Sequence, residues 1–332
     1  MITTPMTRRV AVTTVVAAAL AGVLATGPAQ AHSEKVLDSI HFLIPGGAGG
    51  GWDGTARGTG EALVKGKLVG STTYENMSGG GGGKAIAHLI ETAKKQQGTL
   101  MVNSTPIVIR SLQGVFPQSF RDLTLVAGTI GDYGALVSNA DSDIKTFADL
   151  RAAYKANPRK VAIGGGSVAG GMDHLVAALV MKAAGANPTE VKYIPYDAGG
   201  KAMAGLLSKE IRALSTGFSE AAEMARQGQV NILCVTAAER LPEFPDTPTC
   251  KEQGADAEFV NWRGFFAAPD LPAEKRAAFI HALTEMYETQ AWEAVRARNG
   301  WVNIFNPGDK FGTFLEAQEQ QMGDLMRELG FL

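Results

Sequence analysis

Short apolar runs alternate with segments of helical period along almost the whole chain. The runs fall at 40–44, 72–75, 100–103, 123–127, 135–138, 161–163, 192–194, 211–214 and 232–235. Their short length and their Gly, Pro, Asn or Asp borders predict strands. Between them, apolar positions recur at three- and four-residue spacing over 55–64, 84–96, 147–156, 173–184, 201–207 and 220–227, which predicts helices. Alternation of this kind predicts an α/β fold built on mostly parallel sheets flanked by helices.

The last seventy residues read differently. A strand-like run over 260–268 ends at Pro269, two helices follow, then a short strand at 302–305 and a closing helix from Pro307. This tail is expected to return and complete the first domain. The chain would then form one lobe from 32–135 plus 261–332 and a second from 136–260. No Gly/Ser-rich or proline-rich tether marks either crossing, so the connection should be a hinge.

The beginning of the chain is expected not to belong to the fold. Arg8 and Arg9 precede an uncharged apolar run over 10–24, and Ala29-Gln30-Ala31 supplies a small-x-small cleavage pattern. The run is shorter than the roughly twenty residues a membrane-spanning helix needs. A cleaved export signal over 1–31 is therefore expected, with Thr7-Arg8-Arg9 leaving twin-arginine export open beside the general route. The chain carries 31 basic and 33 acidic side chains. Losing Arg8 and Arg9 tilts the balance further toward acid, which excludes a nucleic-acid-binding role resting on a basic face.

Four strand-to-helix turns are glycine-rich and a fifth is small and polar: 45–53, 76–83, 164–167, 196–200 and 215–217. Glycine lets backbone amides approach a ligand closely. The helix N-termini that follow favour an anion. In open α/β sheets such loops gather at the carboxyl ends of the strands, where ligands bind. Any one such turn is adequately explained as a tight turn; five of them, in a chain of 40 glycines, point to a shared anion-binding cleft.

Sharper motifs fit less well. A P-loop over 78–85 fails because Ser78 stands at its first glycine and Ala85 at its final Ser/Thr. Gly49, Gly51 and Gly54 satisfy the dinucleotide fingerprint with Glu75 at the expected distance, but an exported chain does not meet NAD. The segment 165–169 resembles a nucleophile elbow whose last glycine comes one residue late. The histidines His32, His41, His88, His174 and His281 form no HExxH pattern and no evident triad. His174 can either reach the cleft or pack. Cys234 and Cys250 leave two readings open, a disulfide or a Cys234 that is simply a buried strand residue, the second favoured; neither has a CxxC partner for a metal.

The motif over 44–57, from Ile44-Pro45-Gly46-Gly47 through Trp52-Asp53 to Arg57, resembles the opening motif of the tripartite tricarboxylate transporter receptors, or Bug receptors. Glu75-Asn76 with its glycines, Gly164 to Ser167 with Asp173-His174-Leu175, Tyr196-Asp197, Ala237 to Arg240, Asp246 to Thr249 and Asn261 to Gly264 extend the resemblance over the mature chain. It implies a periplasmic Venus-flytrap fold, no cofactor or metal, and a monomer that hands a carboxylate to one large and one small integral membrane subunit. It also implies the site. Gly46, Gly47, Gly49, Gly50, Trp52 and Asp53 would hold one carboxylate with Asn76, Gly79 and Gly80, Asp53 bracing its own loop. Ser104 and Thr105 would add hydroxyls. Ser167, His174, Tyr196, Ala198, Gly199 and Gly200 would close from the second lobe, with Ser215 and Thr216 at the floor. Arg263 would meet a further carboxylate or brace the crossing strands. Asp197 is out of place beside an anion, and Lys201 could pair with it or with the ligand. The glycines of the first loop with Trp52 tilt the expected ligand toward citrate-like tricarboxylates, dicarboxylates coming next. A secreted enzyme using the same cleft, or a ligand sensor docking on a signalling protein, are the alternatives.

Overall fold

The structure, a computed structural model, describes Met1 and residues 35–332; the expected export signal lies outside the described residues. The chain opens with β1 (Leu37–Ile44), α1 (Gly51–Lys65), β2 (Val69–Asn76), α2 (Gly83–Glu91), β3 (Thr99–Ser104) and α3 (Thr105–Leu112). A long strand, β4 (Thr124–Asn139), leads into α4 (Phe147–Ala156), β5 (Ile163–Gly165), α5 (Met172–Ala183), β6 (Tyr193–Pro195), α6 (Gly199–Leu207), β7 (Ala213–Gly217), α7 (Phe218–Arg226) and β8 (Val230–Val235). It closes with β9 (Val260–Ala267), α8 (Ala273–Tyr287), α9 (Gln290–Asn299), β10 (Val302–Pro307) and α10 (Asp309–Leu329).

Two half-sheets share β4. The first runs β2-β1-β3-β9-β4 with β10 also on β4, and the second runs β4-β7-β5-β6 with β8 also on β4. Pairings β1–β2, β1–β3, β5–β6 and β5–β7 are parallel, whereas every pairing of β4 or β9 is antiparallel. The sheet is therefore mixed. The chain leaves the first half along β4 and returns along β9 beside it, so the two must run in opposite directions.

The apolar runs 123–127 and 135–138 belong to one strand, and Gly128, Gly131 and Gly134 between them are not a break. They are instead places of close packing within one strand. A Cβ on Gly131 would stand 2.5 Å from Val260 Cγ2, and one on Gly134 would stand 2.7 Å from Val176 Cγ1. Where the halves meet, the Thr236 hydroxyl accepts from the Gly134 amide at 2.8 Å and donates to the Phe259 carbonyl at 2.6 Å. This knot fixes the outgoing strand to the returning one.

The tail packs on the first half-sheet, burying Trp292 and Trp301 with Phe42 and Ile44. Its last helix does more. Met326 and Leu329 of α10 join one buried cluster with Leu175 and Val176 of α5, and Lys182 Nζ meets Glu328 Oε1 at 2.7 Å. Cys234 and Cys250 are disulfide-bonded, against the unpaired reading favoured from the residues. Thr249 bridges Val235, and the Cys250 amide donates to the Val235 carbonyl at 2.8 Å, so the segment after β8 is carried back alongside it.

Candidate functional site

The loops that follow β1, β2, β5 and β6, with Ser104 at the end of β3, surround a cavity of about 320 Å3. Pro45 in the first loop and Asp53 in the first turn of α1 show how that loop is held. Asp53 Oδ2 accepts from the Gly49 amide at 3.1 Å, while Oδ1 accepts from Arg57 Nε at 2.9 Å and Asn76 Nδ2 at 3.1 Å. Asn76 Nδ2 also donates to the Gly46 carbonyl at 3.0 Å. Asp53 thus braces its own loop, and Asn76, expected on the ligand, does the same and stays off the cavity wall. Gly49 also stays off the wall; its φ of +76° shapes the turn.

Gly46, Gly47, Gly50 and Trp52 do line the cavity, as do Gly79, Gly80 and Ser104. The Trp52 indole donates to Ser104 Oγ at 2.8 Å, so these two hold each other. From the other half come Ser167, Tyr196, Ala198 and Gly199. The halves touch across the cleft. A Cβ on Gly47 would stand 3.0 Å from Ala198 Cβ, and one on Gly50 would stand 3.4 Å from the Gly199 amide nitrogen. Ser78 donates to Asp197, whose other oxygen lies 3.1 Å from Lys201 Nζ. These bonds hold the Asp197 carboxyl below its ordinary range, Ser78 contributing most. Lys201 therefore partners Asp197.

The remaining expected residues have other roles. His174 stacks on Tyr193 with ring centroids 4.5 Å apart, meets Phe331 edge-on, and accepts the Gly170 amide at Nδ1. Burial pushes its pKa down, so the ring packs as a neutral group. Thr105 spends its amide on Asn261 Oδ1. Ser215 and Thr216 are buried in β7 opposite Leu136 and Ala135. Gly200 packs on the first loop, a Cβ there meeting the Ala48 carbonyl at 3.0 Å. None of these five lines the cavity.

At the cleft floor lies a charge cluster that the sequence reading identified only through Arg263. The Arg263 side chain is 2% exposed and Asp132 fully buried; Nη2 meets Asp132 Oδ2 at 2.8 Å, and Nη1 donates to Thr55 Oγ1 at 3.0 Å. Glu220 Oε1 stands 3.9 Å from the same Nη2. Arg263 lines the cavity, yet its charge is answered by the protein. Glycines make room for the cluster. A Cβ would stand 2.1 Å from Arg263 Nη2 at Gly51, 1.7 Å from Glu220 Oε2 at Gly199 and 2.4 Å from Asp132 Oδ2 at Gly217. Part of the glycine pattern read as an anion cradle is thus space for buried ion pairs.

Glu220 and Asp173 both line the cavity. Burial pushes Asp173 up to about 7, against the hydrogen bonds of Ser167 and Gly166 and the charge of Arg263. Burial, reinforced by the charge of Asp173, pushes Glu220 up to about 8. Arg110 is the other charged residue missed. It sits in the last turn of α3, a helix hidden from the sequence by its proline start, and is 9% exposed. Its Nη1 donates to Gln113 at 2.7 Å, while Nε is buried without a partner. Burial holds its pKa down. Among the described residues no group of three or more His, Cys, Asp or Glu side chains is arranged to hold a metal ion.

Two α/β halves closing glycine loops and hydroxyls over one small cleft define a two-lobed solute-binding protein. A family model described as "Tripartite tricarboxylate transporter family receptor" matches residues 56–331, and the chain belongs to that family. A UPF0065 protein of Agrobacterium vitis is 27% identical over 260 residues, covering 77% of this chain and 73% of the relative. The periplasmic binding protein BugD shares the fold with a TM-score of 0.80 at 19% identity, covering 89% of this chain and 98% of that one. An R. palustris protein solved with adipate matches with a TM-score of 0.79 at 18% identity, covering 89% and 97%.

Proposed function

We propose that this chain is a periplasmic receptor that captures an organic carboxylate between two lobes and delivers it to the large and small membrane subunits of a tripartite transporter. The observation that carries the ligand class is Arg110. It is a buried cation on the cleft wall with an unsatisfied Nε, beside the loop of Gly79 to Gly82, where a Cβ on Gly81 would stand 3.3 Å from that Nε. A carboxylate accepting from Arg110 and from the loop amides answers both. The adipate bound by the R. palustris relative is consistent with this class.

Family membership supports delivery to the transporter and a periplasmic address. The relatives are binding proteins, which supports capture without chemistry. The expected lobes, 32–135 with 261–332 against 136–260, are supported by β4 passing between the half-sheets near Gly134 and by β9 returning from Val260. The ligand touches both lobes, so it favours the closed form. The wall favours a ligand with fewer carboxylates than citrate, because Arg263 is already paired.

A thermal-shift screen of the mature protein against organic acids, sugars and nucleotides tests the reading. A ligand at 100 times its Kd stabilises by about 2.7 kcal/mol, a shift of several degrees. Stabilisation by a carboxylate that disappears in Arg110→Gln is expected. Stabilisation by a nucleotide alone would overturn the reading and restore Gly49, Gly51 and Gly54 as a dinucleotide turn.

A further inference from the structure

The charges of the cleft wall do not suit a simple polyanion. Five charged side chains line it: Arg110, Arg263, Asp173, Asp197 and Glu220. Asp132 answers Arg263 at 2.8 Å, and Lys201 answers Asp197 at 3.1 Å. What remains for a ligand is one cation, Arg110, and two carboxyls, Asp173 and Glu220. The two signs stand against different stretches of the wall. Arg110 lies by Gly81, next to Val168, whereas Glu220 lies among Gly51, Gly199 and Gly217 in front of Arg263.

We propose that Glu220, backed by Asp173, forms a cation-selecting pole, so that the ligand carries a protonated amine as well as the carboxylate held at Arg110. This rests on the carboxylate-receptor reading and narrows it to zwitterions. Glu220 is tied to its surroundings by a hydrogen bond with Thr216 and by a long approach to Arg263, and neither neutralises it fully. Its carboxylate stands 3.9 Å from an Arg263 that already has a closer partner, and Asp132 is satisfied by Arg263, by the Ser219 amide at 3.2 Å and by Ser219 Oγ at 2.6 Å. Arg263 is therefore neutralised without Glu220, whose carboxyl lines the cavity. A second ligand carboxylate placed there would face the Asp132 charge and oppose the ionisation of Asp173 and Glu220, and the nearby cation, Arg263, is already paired. An ammonium group instead supplies the missing cation and three donors. Between the poles Trp52, Pro106, Val168 and Met172 offer an apolar surface for the ligand's carbon chain. A cavity of about 320 Å3 suits a molecule of amino-acid size.

The raised pKa values of Asp173 and Glu220 give the pole a signature. Without a cation both carboxyls retain protons near neutrality, and an arriving ammonium favours their ionised forms. Binding thus releases protons and tightens as pH rises from 6 toward 8, opposite to what a dicarboxylate accepting from the protonated carboxyls would show.

The test is isothermal titration of the full mature protein with matched pairs that differ by one ammonium for carboxylate or hydrogen: glutamate and glutarate, aspartate and succinate, 5-aminovalerate and glutarate. The expected result is that an amine-bearing acid binds at least tenfold more tightly than its match, that Glu220→Gln removes this preference, and that Asp173→Asn reduces it. Arg110→Gln should weaken both members of a pair. A match that binds as tightly as the amine, or a preference that survives Glu220→Gln in a variant with wild-type melting, overturns the acidic pole and leaves the carboxylate receptor standing. Failure of every carboxylate to bind removes the receptor reading itself.

Discussion

Gly51→Ala separates two reasons for a glycine at the start of α1. If Gly51 serves only to let a ligand approach, its replacement leaves the ligand-free protein intact. The packing says otherwise: a Cβ there would stand 2.1 Å from Arg263 Nη2 and 2.9 Å from Glu220 Oε1. Arg263 is held by Asp132 and Thr55 and cannot withdraw into solvent. Overpacking of this kind costs about 1–3 kcal/mol, and about 3–5 kcal/mol if the Arg263–Asp132 pair breaks. Alanine's better helix propensity returns up to about 1 kcal/mol. Gly54, one turn along the same helix, provides the control, because a Cβ there has no neighbour within 4 Å. Gly54→Ala should be neutral or stabilising by up to about 1 kcal/mol. Urea denaturation of the ligand-free variants reads the difference, expected at roughly 2–4 kcal/mol with the m-value unchanged. Equal stability of the two variants, with ligand affinity lost only in Gly51→Ala, would refute the packing account.

Three further outcomes follow from the same coordinates. Asp53→Asn removes a carboxylate that accepts from Gly49, Arg57 and Asn76, and should cost about 1.5–3 kcal/mol in urea melts; a loss below 0.5 kcal/mol (within the error of ordinary surface changes) would contradict the bracing role. Reducing the Cys234–Cys250 bridge, of sequence separation 16, should lower stability by about 3 kcal/mol, and an unmoved urea midpoint would show that the hinge segment needs no staple. Between pH 6.5 and 8 the native state holds protons on Asp173 and Glu220 that the unfolded chain has released, so stability should fall as pH rises. His174, whose folded pKa is depressed, acts oppositely but only below its ordinary value of 6.5. Melting temperatures across that window check the sign, and Glu220→Gln should flatten the slope.

The parts of this molecule legible in the sequence are those that depend on neighbours along the chain. The strands β1, β3 and β8 and the helices α1, α4 and α5 each carry their own apolar period. The glycine loops announce themselves because each is continuous. The long β4 was broken into two because its glycines answer side chains far away, Val260 and Val176 among them. A one-dimensional pattern cannot distinguish a glycine that turns the chain from one that makes room for a distant residue.

The same limit explains the site. Asp132, Glu220 and Arg263 lie on three elements remote in sequence, and each alone is an ordinary charged residue. Only the meeting of β4, α7 and β9 makes them a cluster, and only then do Gly51, Gly199 and Gly217 acquire their common cause. This changes what the glycine loops can be taken to recognise. Loops built of amides are indifferent to the rest of a ligand, since any carboxylate can accept from them. Discrimination must come from charged side chains that the fold leaves incompletely answered. Arg110 is one and Glu220 the other, and the proposed selectivity for an ammonium group beside the carboxylate rests on that pair.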